Sequence, residues 1–273
     1  MQLSLKNVSY SYNSKDEKNL KALSGINLCV KEGDYIGITG STGSGKTTLI
    51  QLMAALLKPD EGSLLLDNVD VHEKNYPLSE LRKKVGIVFQ FPDYQLFEPT
   101  VEKDLIFGLK HLELSKEEKE KKAKDILESL NFNYEKFRHL SPLSLSGGEK
   151  KLIAIAGVLI TKPSFLILDE ALAGLDHSSS KSLLKILSVL NKEGTTIIMV
   201  SHNIDILSEH AKRLLIVEEG KIIMDAESKK VLNEFPLNSP KKIAKLLGEK
   251  IPSFNTDITS YDDLLKAVKE LLA

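Results

Sequence analysis

The chain has no tryptophan and one cysteine, Cys29, among its 273 residues. A single thiol excludes a disulfide within the chain, and inside "NLCV" it reads as a small buried apolar residue. No apolar run approaches the roughly 18 residues that a membrane-spanning helix needs. The opening "MQLSLKNVSYSYNSKDEKN" lacks the apolar core of a signal peptide. The expectation is a cytosolic protein that meets a membrane only through a partner. Charge of one sign is also missing: 37 basic residues stand against 38 acidic ones, a net charge of −1. That balance gives no global attraction for nucleic acid. Internal repeats and low-complexity segments are absent. What is present is an ordinary soluble balance, 42 % hydrophobic and 27 % charged, at a length that suits one large domain or two small ones.

Strand-sized runs come first: "LSLKNVSYSY", "INLCV" and "YIGIT". "GKTTLIQLMAALL" has the length and composition of a helix, and "SLLLD" and "VGIVF" are strand-sized again. "FLILD" and "TTIIMV" are apolar on successive residues, the pattern of strands covered on both faces, as in a parallel sheet. A helical stretch from Ser178, "SSSKSLLKILSVL", separates them, so the expected class is α/β. Between Phe91 and Ile160 helix dominates, which predicts a helical insertion. There "SKEEKEKKAKDILESL" sets Glu117–Lys121, Glu118–Lys122 and Glu120–Lys124 at i,i+4 in the favourable orientation, as on a solvated helix face. "RLLIVEEGKIIMD" predicts a hairpin around Glu219-Gly220. After Pro240, "KKIAKLLGEK" and "SYDDLLKAVKELLA" predict amphipathic helices across a linker of Pro, Ser, Asn and Thr.

The chain reads "ITGSTGSGKTTL" from Ile38 to Leu49. Gly40, Gly45, Lys46 and Thr47 fit G-x-x-x-x-G-K-[ST], with Ser41, Thr42, Gly43 and Ser44 inside the loop and Thr48 just after it. Such a loop wraps a phosphate chain with its backbone N–H groups, and side chains would block the approach. The following helix offers its positive N-terminal end. Lys46 suits the β- and γ-phosphates, and the Thr47 hydroxyl suits Mg2+. A P-loop alone does not choose among kinase, GTPase, motor and transporter ATPase. "FLILDE" adds Asp169 at the C-terminal end of an apolar strand, where α/β sheets bind ligands. A carboxylate there suits Mg2+, and Glu170 is placed to orient and polarise an attacking water. In "LSLSGGEKK", Ser146, Gly147 and Gly148 open a second apolar helix, another anion-binding N-terminus. One nucleotide cannot easily use both cradles of one compact subunit. A two-fold dimer resolves this, each subunit's second cradle closing over its partner's ATP.

These motifs, in this order, resemble an ATP-binding cassette (ABC) nucleotide-binding subunit over roughly residues 1 to 235. The resemblance implies a P-loop NTPase core with an N-terminal antiparallel β subdomain, a helical subdomain at about 91–160, and a small C-terminal helical extension at 236–273 that serves as a dimer contact. It implies that Gly40 to Thr47 are the Walker A loop, Asp169 the Walker B aspartate and Glu170 the catalytic glutamate. "LSGGE", Leu145 to Glu149, matches the signature motif, and "AGLD", Ala173 to Asp176, the D-loop. His202 matches the switch histidine, Gln90 the Q-loop glutamine that senses Mg2+ and water, and Tyr12 the aromatic that stacks on adenine, with Tyr10 as its competitor. The implied cofactors are ATP and Mg2+.

"VGIVFQFPDYQLFEPTVEKDLIFGLK" is similar to the Q-loop region of energy-coupling factor (ECF) importer ATPases. That group implies a second ECF-type ATPase, with a heterodimer favoured over a homodimer. It also implies a membrane coupling subunit and a substrate-binding membrane subunit, a place on the cytoplasmic face of the membrane, and no nucleic acid. Asp93 and Glu98 are then expected to meet basic residues of the membrane partner. Two departures stand out. Ala171 and Leu172 replace the usual Pro and Thr in "DEALAGLD", and Glu149 replaces the signature Gln. The second sets a carboxylate where a partner's triphosphate would lie, which predicts two unequal ATP sites. The alternatives are another ABC transporter type, a soluble ABC ATPase of nucleic acid or ribosomes, a P-loop kinase, and a non-hydrolysing regulatory cassette. The last two leave the signature motif, or the intact Glu170 and His202, unexplained.

Overall fold

The computed structural model describes residues 1–12, 20–234, 240–252, 254–256, 258 and 261–272. Its strands are β1 (Gln2–Tyr12), β2 (Leu20–Lys31), β3 (Tyr35–Thr39), β4 (Glu61–Leu66), β5 (Val69–Asp70), β6 (Val85–Val88), β7 (Phe165–Asp169), β8 (Thr196–Val200), β9 (Arg213–Glu218) and β10 (Lys221–Glu227). Its α-helices are α1 (Lys46–Met53), α2 (Leu78–Lys84), α3 (Val101–Phe107), α4 (Lys116–Ser129), α5 (Tyr134–Phe137), α6 (Gly147–Leu159), α7 (His177–Lys192), α8 (Ile204–His210), α9 (Ser228–Glu234), α10 (Pro240–Lys250) and α11 (Tyr261–Leu272).

Two sheets carry the fold. An antiparallel sheet has the order β2-β1-β4-β5, and a larger one the order β10-β9-β3-β8-β7-β6, parallel from β9 to β6. Every residue of β7 and β8 is buried, as their unbroken apolar runs require. Alternation sorts their side chains. Phe165, Ile167, Ile198 and Val200 face α1 and the antiparallel sheet, while Leu166, Leu168, Ile197 and Met199 face α6, α7 and α8. The β9–β10 hairpin turns at Glu219-Gly220 as its sequence predicts.

Between β6 and β7 the chain is helical and has its own core, built from Val101, Leu105, Leu127, Phe132 and Ile153 among others. The helix α6 belongs to two cores: Leu152, Ile153 and Ala156 face this cluster, whereas Ile155 and Leu159 face the large sheet. A smaller cluster of Ala244, Phe254, Ile258 and Leu264 joins α10 to α11. Residues 235–239, where the ATPase part is expected to end, and part of the linker before α11 lie outside the described residues.

The ion pairs expected along α4 are not the ones formed. Glu118 closes a capping box with Ser115, so it is taken from Lys122. The pairs present are Lys116–Glu120 at 3.7 Å and Lys124–Glu128 at 3.9 Å. Cys29 is half-buried rather than buried, and its carbonyl accepts from Arg213 Nη1 at 2.8 Å. Arg213 also grips Asp225 with two bonds of 2.6 Å. One guanidinium on β9 thus ties the antiparallel sheet to the large one. Arg213→Met is expected to lower the unfolding free energy by about 2 kcal/mol, read as a lower urea midpoint, because it removes a bidentate charged pair and an inter-sheet bond together.

Candidate active site

Parallel register brings four strand ends into line. Ile38 pairs with Val200, Asp169 with Val200, and Leu168 with Val88. The loops that leave β3, β7, β8 and β6 at this edge carry Gly40–Thr47, Asp169–Glu170, His202 and Gln90. Four motifs spread over more than 160 positions of the chain therefore meet at one edge of one sheet.

The loop after β3 closes onto the start of α1. Lys46 is buried and its Nζ donates to the carbonyls of Gly40 at 2.9 Å and Ser41 at 2.8 Å. Burial lowers its pKa, and the charges of Glu170 and Asp169 oppose that shift. A Cβ on Gly40 would lie 2.0 Å from the Val217 carbonyl oxygen, so only glycine fits there. Ser44 Oγ is buried and has no hydrogen-bond partner among the described residues. Thr47 Oγ1 donates to Asp169 Oδ2 at 3.0 Å. A hydroxyl and a buried carboxylate that converge this way, beside an unsatisfied serine, are the hard oxygen donors that Mg2+ and a phosphate chain take.

Glu170 follows Asp169 with φ +48°, in the left-handed region. Its N–H donates to Val200 O at 3.1 Å. Its Oε1 is buried without a hydrogen-bond partner among the described residues and lies 3.4 Å from His202 Nε2. Burial pushes the carboxyl pKa up, a nearby His202 charge draws it down, and Asp169 pushes it up again. His202 is exposed in the turn after β8, where Ser201 N–H reaches Ile38 O at 3.1 Å and Asn203 caps α8. The pair is a buried acceptor with an exposed imidazole beside it, an arrangement suited to orienting and deprotonating a water.

Tyr12 stands at the mouth of a cavity of about 430 Å³ lined by Lys21, Gly43, Gly45, Thr47 and Glu219. Its hydroxyl lies 3.2 Å from Thr48 Oγ1. Tyr10 meets the Tyr12 ring edge-on at 5.0 Å and packs against the core, so Tyr12 is the aromatic that faces the P-loop. Gln90 is exposed two residues beyond β6. A roomier cavity of about 550 Å³, between α4 and α7, lies away from all these groups.

Ser146, Gly147 and Gly148 open α6 at a separate cavity of about 280 Å³, which Asp176 and Ser179 also line. Glu149 folds back there. Its Oε2 accepts from Ser146 N–H at 2.8 Å and from Ser146 Oγ at 2.7 Å. Those bonds hold the Glu149 carboxyl below the usual carboxylate range. A carboxylate thus already occupies the anion-binding start of α6.

Asp93 and Glu98 are not presented outward as expected. Both are half-buried, and Glu98 pairs with Lys110 at 3.9 Å. The exposed groups of this loop are aromatic: Phe91 at 61 %, Tyr94 at 84 % and Phe97 at 63 %. Lys151 was not legible as a site residue. It reaches from α6 to the carbonyls of Glu170 and Ala173, and the only hint was a lysine at the head of the apolar run "LIAIAGVLI".

A P-loop, a strand-end Asp–Glu pair and a second anion cradle on an inserted helical unit define a P-loop ATPase. Comparison with known proteins makes this specific. The profile described as "ABC transporter" matches residues 23–173. A relative from Clostridium tetani (strain Massachusetts / E88), named energy-coupling factor transporter ATP-binding protein EcfA2, is 45 % identical over 235 residues, covering 86 % of this chain and 82 % of the relative. The solved structure of cbiO1 from Clostridium perfringens, described as part of the ABC transporter complex cbiONQ, has TM-score 0.74 and 35 % identity, over 92 % of this chain and 95 % of that one. An ATP-binding cassette solved as a dimer in a post-hydrolysis state with ADP and Pi has TM-score 0.74 and 29 % identity, over 83 % and 98 %. The chain belongs to the ABC transporter family; it binds ATP and hydrolyses it.

Proposed function

We propose that the chain is the ATP-hydrolysing subunit of an ECF-type ABC importer, powering uptake of a vitamin or a metal ion through membrane partners. The observation that carries this reading is the meeting of Lys46, Thr47, Asp169, Glu170 and His202 at one sheet edge, in a chain 45 % identical to an energy-coupling factor ATPase. Residues 1–235 form the ATPase domain, with the helical unit at about 91–160 inserted in it, and 236–273 form a dimer contact.

Gly40, Ser41, Thr42, Gly43, Ser44 and Gly45 wrap the phosphates, Lys46 neutralises them, and Thr48 lies at the Tyr12 end, where the adenine stacks. Thr47, Asp169 and Gln90 would hold Mg2+, which when bound would screen the phosphate charge. Glu170 takes a proton from the attacking water, and His202 steadies the γ-phosphate oxygens. Ser146, Gly147 and Gly148 serve the nucleotide bound by the paired ATPase. ATP then binds two subunits together, and hydrolysis releases them. The exposed Phe91, Tyr94 and Phe97 suit an apolar surface of the membrane coupling subunit better than carboxylates suit a basic one. A substrate-binding membrane subunit completes the assembly at the cytoplasmic face. No described helix is long and apolar enough to cross a membrane.

Glu149 places its charge opposite the partner's triphosphate, which favours a heterodimer with unequal sites. Glu149→Gln keeps a side chain able to cap Ser146 and removes that charge. It is expected to strengthen ATP-dependent pairing about two- to fivefold, measured by light scattering across an ATP titration. The reading as a whole is tested by Mg-ATP hydrolysis of the chain alone and mixed with a sister ATPase, with size followed in parallel. Turnover confined to the mixture supports the heterodimeric importer ATPase. Full turnover by the lone chain overturns the heterodimer, and no turnover in any combination overturns the function.

A further inference from the structure

Lys151 takes no part in the steps above, yet it is 8 % exposed on a helix whose next residues, Leu152 to Ala156, are all buried and apolar. A buried ammonium is unfavourable unless it is paired and hydrogen-bonded. A leucine there would extend the apolar face at no such cost, so the lysine calls for a reason.

Its partners supply one. Lys151 Nζ donates to the Glu170 carbonyl at 3.2 Å and the Ala173 carbonyl at 2.6 Å. These carbonyls lie at the two ends of the turn that leaves β7. The Glu170 carbonyl also accepts from Ala173 N–H at 3.1 Å, and the Glu170 N–H is held by Val200 O. Glu170 is a non-glycine residue with φ +48°. Such a conformation persists only when its surroundings over-determine it, and Lys151 is the one side chain whose hydrogen bonds hold this turn's carbonyls among the described residues. The direction in which the carboxylate points toward His202 depends on that backbone.

Burial favours the neutral form of Lys151, and the negative charges of Asp93, then Glu170, favour the ammonium. Asp93 lies in the 3-10 turn Pro92–Gln95, which packs on α6 and belongs to the loop that carries Gln90 and exposes Phe91 and Tyr94.

We propose that Lys151 is a positioning residue for hydrolysis: it clamps the Glu170 turn in its left-handed form. The proposal rests on the reading of Glu170 as the group that deprotonates the water. The clamp acts on the Glu170 and Ala173 carbonyls and not on the loop Gly40–Thr47 that wraps the phosphates, so the effect falls on turnover and not on binding.

The test uses the full chain in its ATPase dimer, with Mg-ATP kinetics, binding of the fluorescent analogue mant-ATP, and thermal melting. Lys151→Met is expected to lower kcat roughly ten- to hundredfold, with mant-ATP affinity held within about twofold. Lys151→Arg is expected to restore most of the turnover, because its fork spans two carbonyls. Wild-type kcat in Lys151→Met overturns the proposal. So does a loss of mant-ATP binding alongside kcat, or a loss that Arg does not restore while melting falls. If Lys151→Met fails to fold, Lys151→Gln, which keeps one donor group, carries the same comparison. Glu170→Gln, run in parallel, separates the two ideas: wild-type turnover there sinks the role of Glu170, whereas an intact Lys151→Met beside an inactive Glu170→Gln sinks only the clamp.

Discussion

Glu170→Gln is expected to lower steady-state ATP hydrolysis by about 10²- to 10⁴-fold, the usual worth of a positioned general base, while mant-ATP binding stays near wild type. The reason lies in the two oxygens of one carboxyl group. Oε1 is buried, has no hydrogen-bond partner among the described residues, and lies 3.4 Å from His202 Nε2. An unsatisfied buried acceptor is costly to the fold unless something arrives to use it. A water poised at the γ-phosphate is such a partner. Glutamine keeps the size and one acceptor oxygen, so the turn held by Lys151, Ala173 and Val200 stays in place. What it loses is the lone pair that takes the proton. With chemistry blocked and binding intact, the ATP-bound dimer accumulates, and light scattering in Mg-ATP should show a long-lived dimer that the wild type forms only in passing. Wild-type turnover in Glu170→Gln would mean that another group deprotonates the water.

The parts of this site legible in the sequence are those whose chemistry is local. The P-loop needs small residues, a lysine and a hydroxyl on consecutive turns of one segment, so "GSTGSGKTT" announces it. The strands β7 and β8 are covered on both faces, so their apolar runs are unbroken and end at Asp169 and Val200. What escaped depends on distance along the chain or on competition between nearby groups. Lys151 acts on carbonyls 19 and 22 residues away, and carbonyls leave no trace in a sequence. Glu118 and Glu149 were each legible as a charge, but both are drawn back to the helix starts at Ser115 and Ser146. An N-cap three residues away competed better than a lysine at i+4 or open solvent. Glu98, expected to meet a basic residue of a membrane partner, pairs for a related reason with Lys110 of its own chain, which offers positive charge closer by. Which of Tyr10 and Tyr12 faces the P-loop depends on the β1 register, which shifts between Val8 and Ser11 and leaves the Tyr12 hydroxyl beside Thr48.

Gly40→Ala is expected to abolish nucleotide binding, with mant-ATP affinity down at least about 100-fold, and to lower the unfolding free energy by about 2–3 kcal/mol. The added Cβ would sit 2.0 Å from the Val217 carbonyl oxygen and 3.0 Å from Ser44 Oγ, at φ +150°. The Val217 carbonyl cannot retreat cheaply, because Val217 belongs to β9, locked to β3 by Thr39–Ile216 pairing. The loop must therefore move, and the Gly40 carbonyl that Lys46 Nζ grips at 2.9 Å moves with it. Gly147→Ala is the contrasting case. An added Cβ there meets nothing within 4 Å, and the residue is the first of α6. Alanine lowers the entropy of the unfolded chain, so stability should hold or rise by up to about 1 kcal/mol. If two ATPase subunits pair as proposed, any loss of function then falls on the nucleotide carried by the partner. The two glycines look alike in sequence, each beside a phosphate-binding helix start. Urea unfolding and mant-ATP titration of both variants should separate them, one as a site that cannot form and the other as a surface that a second subunit must complete.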